Sequence, residues 1–548
     1  MRYHKDNRGL LERDSNIGGS AEIIVDDRYG WAHSDKGALK YWYIGAEKPV
    51  TELVSFCHKH PEADVKQLSS ILRGCRGHFA VIIQQRNRVI AATDKTRSYP
   101  VFYEKHRENF KISNSARALK QNLNLSEIDE LSILEFKMAG YVTGRETLYE
   151  NLYQVQAGEL IVWDKILSRI DCERYYIYFS EEIRKVKEED LIDELAEVTK
   201  GIFSDLASSA NGATIWVPLS GGLDSRLVLC MLKQVGYESI RAFSYGPTGN
   251  YEVKAAQYIA EKLDVPWISL SLNMRESREF FWSDLRRAYW AFADGLSNIP
   301  NMQDIHVLSR LINDGRVAPN DVIVNGQSGD FITGGHIPSC FLKEKPSISL
   351  LLNWVIDRHY SLWKHFKIEK NLNLLKEKIL HLIDVDMESL LDRQTLSNVY
   401  ERWEWQERQC KYVLNGQRIY DFLGLKWSIP LWHDDYLRFW ERIPLNHKFG
   451  QSLYKKYLDR LDYFGCFRNF KPRIWRWPGM TIAVVPLARV LRLILGKTFS
   501  DHFYHYAKYI GHYRQSYAPY NFTSFIKIAH KIRNPVSLNI ETWILENL

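Results

Sequence analysis

A short run, Ser220-Gly221-Gly222-Leu223-Asp224-Ser225, follows the apolar residues Val217-Pro218-Leu219 and leads straight into Arg226-Leu227-Val228. Small residues at 220, 221 and 222 let a backbone approach a phosphate closely. The first turn of a following helix offers free N–H groups and a partial positive charge to the same anion. Asp224 supplies a hard oxygen ligand for Mg2+ riding on the phosphates. A Walker A loop would need a lysine after its last glycine, and none stands here. The plain alternative is a Gly-rich turn with no ligand.

Such a loop needs a strand leading in and a helix leading out, and the flanking sequence predicts both. ATIWVPL (213–219) reads as a strand, and residues 225–236 as a helix ended by Gly236. SIRAFSYG, PWISLSL and DVIVNG are further strands, with the helix EVKAAQYIAEKL between the first two. Strands alternating with helices predict a parallel sheet covered on both faces, with ligands bound beyond the strand ends. From about residue 347 the pattern turns helical and Trp-rich.

The first 180 or so residues read mostly as strands. Residues 77–85 and 87–94 form a hairpin pattern, 99–105 and 109–115 continue it, and 158–164 add another strand. Between them residues 126–140 have helical spacing and a capping Ser126. A charged helix over 181–207 bridges to the next domain. The expected division is 1–180, 181–464 and a basic, aromatic helical extension over 465–548.

The order Ser-Gly-Gly-x-Asp-Ser is similar to the pyrophosphatase loop of enzymes that split ATP between its α- and β-phosphates. With other segments it resembles the asparagine synthetase family over most of residues 70–460. Phe243-Ser244-Tyr245-Gly246 looks like the family's adenine cradle. Asn325-Gly326-Gln327-Ser328-Gly329-Asp330, followed by Gly334-Gly335, resembles its second acidic loop. The block over 428–458 resembles the stretch ending at the catalytic lysine, which falls on Lys455 with Leu458 in register and Lys456 as its competitor. Asp459 stands where the family has Arg, with Arg460 one place later. Gly77-His78-Phe79-Ala80, the run from Asp94 to Pro100, and Thr147-Leu148-Tyr149 with Gly158 are similar to landmarks of an Ntn-type glutaminase.

The resemblance implies an α/β chain: an N-terminal Ntn-type αββα sandwich, then a parallel-sheet ATP pyrophosphatase domain with a helical extension. It places ATP on Leu219, Ser220, Gly221, Gly222, Leu223, Ser225, Tyr245, Asn325 and Gly326, Mg2+ on Asp224 and Asp330, and catalysis on Lys455 and Asp224. Gln327 and Phe331 replace acidic residues of the family, so the second Mg2+ site is thinner in charge. The family's glutaminase needs Cys as first residue of the mature chain. Here the sequence begins Met1-Arg2, no cysteine precedes Cys57, and the glutamine-holding NGE loop is missing. An inactive glutaminase-like domain is expected.

The implied reaction adenylates a carboxylate, releases pyrophosphate and lets a nitrogen nucleophile form an amide. The acceptor is aspartate, as in asparagine biosynthesis, or a uronic-acid sugar of surface polysaccharide. The nitrogen comes from ammonia or a partner's glutaminase. Intramolecular amide closure, as in β-lactam synthetase or lasso-peptide cyclase, is the second reading. A pseudoenzyme binding another synthetase is the third. A homodimer is an open expectation.

Composition narrows the classes. Hydrophobic residues make up 45% and charged residues 25%, the balance of a soluble globular protein. From residue 465 onward twelve Lys and Arg face only Asp501, Glu541 and Glu546, so the tail carries about nine net positive charges and the rest of the chain is close to neutral. That segment reads as a solvated basic face, peripheral membrane contact or an acceptor lid. Residues 481–496 are interrupted by Pro486, Arg489 and Arg492, which argues against a spanning helix. The seven cysteines contain no CxxC pair, so neither zinc nor a disulfide framework is indicated and a cytoplasmic protein is expected. Many tRNA-modifying enzymes with this loop carry paired cysteines, so nucleic acid is not an expected partner.

Overall fold

Alternation of side chains along two strands explains the first domain. Ala80 and Ile82 of β4 (Phe79–Gln84) and Ala91 of β5 (Arg88–Thr93) point to one buried layer, while Val81, Ile83 and Ala92 point to another. Two apolar faces on one hairpin demand cover on both sides. The computed structural model supplies it, describing residues 20–548 except 107, 179–183, 185, 247–249, 384–391, 469, 471–485, 497–498, 501–502, 504–518 and 534.

Strands β1 (Ala21–Ile24), β2 (Ala32–Lys36), β3 (Leu39–Gly45), β6 (Phe102–His106), β7 (Asn109–Ser113), β8 (Leu152–Gln154), β9 (Glu159–Asp164) and β10 (Arg169–Arg174) complete the two sheets. Their orders are β1-β7-β6-β8 and β10-β9-β5-β4-β3-β2. The faces meet over Ile82, Phe110, Ile161 and Trp163, with the Phe110 and Trp163 rings stacked at 5.4 Å. Helices α1 (Glu47–Lys59) and α2 (Val65–Arg73) cover the six-stranded sheet through Leu53, Leu68 and Leu72. Helix α3 (Ala116–Leu123) packs Leu119 on the other sheet near Phe102. This is the expected αββα sandwich.

Helix α4 (Glu130–Ala139) corrects one expectation. Its cap is Asp129, whose carboxylate accepts from the Ser132 N–H, and not Ser126. The bridging helix α5 likewise starts later, at Glu188, and runs to Ala210 (Glu188–Ala210). Residues 1–19, which include Met1 and Arg2, and residues 181–183 at the expected start of that helix lie outside the described residues.

The second domain is built on five strands, β11 (Ile215–Pro218), β12 (Ile240–Gly246), β13 (Trp267–Ser271), β14 (Val322–Val324) and β15 (Lys426–Ser428). All are parallel, in the order β13-β12-β11-β14-β15. Strand order reverses between β11 and β14, which opens a crevice at their carboxyl ends. β15 lies inside the stretch read as helical, a second correction. Along β11, Ile215 and Val217 face a core shared with α5, α6 (Leu223–Gln234) and α7 (Tyr251–Lys262). Trp216 faces the opposite core, with its indole donating to Asp321 at 2.9 Å.

That opposite core also takes in the end of the chain. Helices Phe522–Ile528 and Val536–Asn547 bury Phe525, Leu538, Ile540 and Trp543 beside Phe136. These parts of the extension are therefore core packing. Residues 471–485 and 504–518, which hold much of its positive charge, lie outside the described residues. Among the described residues no helix is long and apolar enough to cross a membrane.

Candidate active site

The loops after β11 and β14 meet at the crevice. Gly222 caps α6 without a side-chain hydrogen bond, which leaves the first N–H groups of the helix unclaimed by any cap. Ser220 folds the loop back: its N–H donates to Ser225 Oγ at 3.1 Å, and its own Oγ accepts from the Gly222 N–H at 3.1 Å. A Cβ on Gly221 would stand 3.1 Å from Ala255 Cβ of α7, so this glycine serves close helix packing. Arg226 braces the loop from behind. Its guanidinium donates to the Gly221 and Cys466 carbonyls at 2.8 and 2.9 Å and lies 3.6 Å above the Phe470 ring.

The second loop sits directly on the first. A Cβ on Gly326 would lie 2.7 Å from the Asp224 carbonyl carbon, and one on Gly329 2.5 Å from Asp224 Cγ. That contact brings Asp330 close to Asp224. Burial, with the charge of Asp330 second, raises the Asp224 carboxyl to about 7, while the Tyr454 hydroxyl at 2.9 Å favours its charged form. Asp330 behaves differently. Against the pull of burial, His336 at 3.1 Å holds its carboxyl below the usual range. Burial pulls His336 down, yet Glu404 and Asp330 together raise it to about 9, so it is a cation at neutral pH.

Two carboxylates converging on an anion-ready loop form a site short of positive charge. A divalent cation would relieve the burial of the Asp224 charge and its repulsion by Asp330, so the residues fit Mg2+ held with phosphate oxygens. Among the described residues no three His, Cys, Asp or Glu group to hold a metal. Mg2+ bound through one or two carboxylates plus phosphates does not require such a group.

The crevice opens into a cavity of about 940 Å3. Of the residues expected to hold ATP, Leu219, Ser220, Gly222, Ser225, Tyr245, Asn325 and Gly326 line it, as does Asp224. Gly221, Leu223, Asp330 and Lys455 do not. Lys455 is exposed, and its ammonium donates to the Gly450 carbonyl at 2.7 Å. Lys456 is ion-paired to Glu188. The helix Ser452–Leu461 instead sends Tyr454 to the site, because its buried stripe runs through Leu453, Tyr454, Tyr457 and Leu458.

A polar network that the sequence did not single out lines the far wall. Tyr245 and Tyr420 each donate to one oxygen of Asp304, at 2.6 and 2.7 Å. Asn325 donates to Tyr420 at 3.1 Å and to Gln417 at 3.3 Å. Gln417 in turn bonds the side chain of Gln327, whose amide reaches the Val413 carbonyl at 2.7 Å. Gln327 is thus an uncharged, fully engaged wall residue. Phe331 is fully buried against Tyr178. Neither supplies the acid that the family has at its position.

The two domains are pinned at this end of the sheet. Asp434 accepts from Lys95 at 2.6 Å and from the Gly77 N–H at 2.9 Å, and Asp435 pairs with Arg76 at 2.8 Å. In the sandwich, burial pushes the Cys57 and Cys75 thiols up to about 12, the reverse of an activated nucleophile.

Comparison with known proteins matches residues 213–461 to the family model described as asparagine synthase. No curated protein matches the chain. Among solved structures, a glutamine phosphoribosylpyrophosphate amidotransferase from B. subtilis complexed with ADP and GMP is 12% identical over 45% of this chain and 73% of its own, with a TM-score of 0.17. A glutamine-dependent NAD+ synthetase from Acinetobacter baumannii in complex with ADP is 12% identical over 68% of this chain and 90% of its own, with a TM-score of 0.19. Likenesses at these TM-scores carry no argument, and the fold stands on the strand order and layers above. Residues 213–461, which hold both acidic loops, all five parallel strands and the Tyr454 helix, are the part of the chain that matches the asparagine synthase family model.

Proposed function

We propose that this chain is an AMP-forming ligase that adenylates an acceptor carboxylate in the 940 Å3 cavity and transfers ammonia to it. The observation that carries this reading is the junction of Asp224 and Asp330 over the phosphate-ready start of α6. A carboxylate is a poor electrophile, and joining it to the α-phosphate of ATP makes a good leaving group. In that step the N–H groups after Gly222 orient the phosphates, and Asp224 and Asp330 are the residues that would hold Mg2+. Mg2+ held there would supply charge neutralisation for the departing pyrophosphate. The wall held together by Asn325, Gln327, Gln417 and Asp304 is polar, which suits a polar acceptor such as aspartate or a uronic-acid sugar. The raised thiols of the sandwich support ammonia, rather than glutamine hydrolysed by this chain, as the nitrogen source.

The test is pyrophosphate and AMP release from Mg·ATP and ammonium, with aspartate and then uronic-acid sugar nucleotides as acceptors. Acceptor-dependent release that is lost in Asp224→Ala supports the proposal. The neutral Gln327 and buried Phe331 favour a second reading, a nucleotide-binding pseudoenzyme. ATP binding without pyrophosphate under any acceptor, peptides included, would decide for it.

A further inference from the structure

A second, separate cavity of about 230 Å3 lies where the sandwich meets the helical part of the other domain. Arg145 and Arg174 line it from the sandwich, and Arg402, Trp403, Trp405 and Gln406 from the helical side. Cross-strand pairing puts Arg174 of β10 opposite Glu159 of β9. That carboxylate is already taken. Arg145 grips its two oxygens at 2.6 and 2.5 Å, and the Gln156 N–H donates to it at 2.8 Å. The other acids at the cavity are engaged as well: Glu407 with Lys411 and the Gly144 N–H, and Glu146 with Lys378 at 3.5 Å.

Arg174 is left with the side-chain carbonyl of Gln406 and with no carboxylate in ion-pair contact among the described residues. Its Nε has no acceptor there, and neither has the indole N–H of Trp403 or of Trp405, both of them buried. A half-buried guanidinium whose Nε is buried without an acceptor is unfavourable, and its planar fork matches the geometry of a carboxylate or phosphate. Burial accordingly holds Arg174 below the usual arginine range.

We propose that this cavity binds a small oxyanion, a carboxylate or a phosphate, held by Arg174 and by the indole N–H groups of Trp403 and Trp405. The volume is ample for a small anion. Because its two walls belong to different domains, the bound anion would tie the sandwich to the helical segment.

The test uses the full chain, titrated separately with inorganic phosphate and with acetate, and with sodium chloride at matched ionic strength. Tryptophan fluorescence and the melting temperature are the readouts. At least one oxyanion should change both saturably while chloride does not, and which one does so identifies the source. Arg174→Met should weaken that response at least ten-fold and, by removing a cation whose Nε is buried without an acceptor, should melt no lower than the parent without ligand. A response unchanged in Arg174→Met would belong to the phosphate loop at 220–225 and overturn the proposal, as would the lack of any response beyond chloride. Should Arg174→Met not fold, Trp405→Phe decides: several-fold weaker binding supports the site, and unchanged affinity overturns it.

Discussion

The hydroxyl of Tyr454 donates to Oδ1 of Asp224 at 2.9 Å, across 230 residues of chain. It joins the helix Ser452–Leu461 to the loop at 220–225, and it favours the charged form of the Asp224 carboxyl. Hydrogen bonds to charged groups contribute about 1.5–3 kcal/mol. Tyr454→Phe should therefore raise the Asp224 carboxyl, moving the acid limb of pyrophosphate release to higher pH. Near neutral pH the rate should fall roughly ten-fold, since each 1.4 kcal/mol is a factor of ten. A pH–rate profile unchanged by the substitution would show that Tyr454 is only packing.

The close contact of the two loops makes a second test. A methyl at Gly329 would stand 2.5 Å from Asp224 Cγ and 2.6 Å from Leu431 Cδ1, wedged between two packed side chains. Gly329→Ala should lower stability by about 1–3 kcal/mol through overpacking, and weaken ATP binding more than ten-fold. Gly201 in α5 meets nothing within 4 Å of an added Cβ. There the same change should stabilise by roughly 0.5–1 kcal/mol through helix propensity. Denaturant unfolding with nucleotide titration separates the two, and equal effects at both glycines would refute the loop-contact argument.

Lys95 and Asp434 are each about 10% exposed where they pair across the domains. Asp434→Ala strands the ammonium and also removes the acceptor of the Gly77 N–H. Breaking one side of such a pair costs about 3–5 kcal/mol. Replacing both partners, Lys95→Met with Asp434→Leu, should recover most of the loss. If the double variant were no more stable than Asp434→Ala, the pair itself would not be the origin of the effect.

How much of this was legible in the sequence depends on the range of each signal. The loop at 220–225 carries its strand, its glycines and its helix within a dozen residues, and its place at the cavity followed from that local grammar. Asp330 was found by its own loop, but what holds it, His336 against Glu404, joins residues 68 apart and left no local trace. Asp304 is held by Tyr245 and Tyr420 on different elements, 59 and 116 residues away. Strand β15 has only three residues, Lys426, Trp427 and Ser428, too few for an alternating pattern among helices. Lys455 shows a different limit. The i, i+3, i+4 stripe of Leu453, Tyr454, Tyr457 and Leu458 was readable and points Tyr454 inward, whereas motif spacing drew attention to the neighbouring lysine.

Two histidines near the same helical segment should shape stability at opposite ends of the pH scale. Burial holds the His359 ring at about 3, far below the roughly 6.5 of an unfolded histidine. The unfolded chain therefore takes up a proton there that the folded chain refuses. Stability from this group is present above pH 6.5 and is lost as pH falls from 6.5 towards 3, at up to about 1.4 kcal/mol per pH unit. His336, raised to about 9 by Glu404 and Asp330, has the reverse sign. Its contribution is full below pH 6.5 and disappears as pH rises through 9. Urea unfolding of the parent from pH 4 to 10 should accordingly show a maximum between these limits. His359→Phe, placed among Trp403 and Tyr400, should flatten the acid limb and leave the alkaline limb in place. His336→Gln should do the opposite. An acid limb equally steep in His359→Phe would mean that the histidine is protonated in the folded chain and that carboxylates alone set the acid limit.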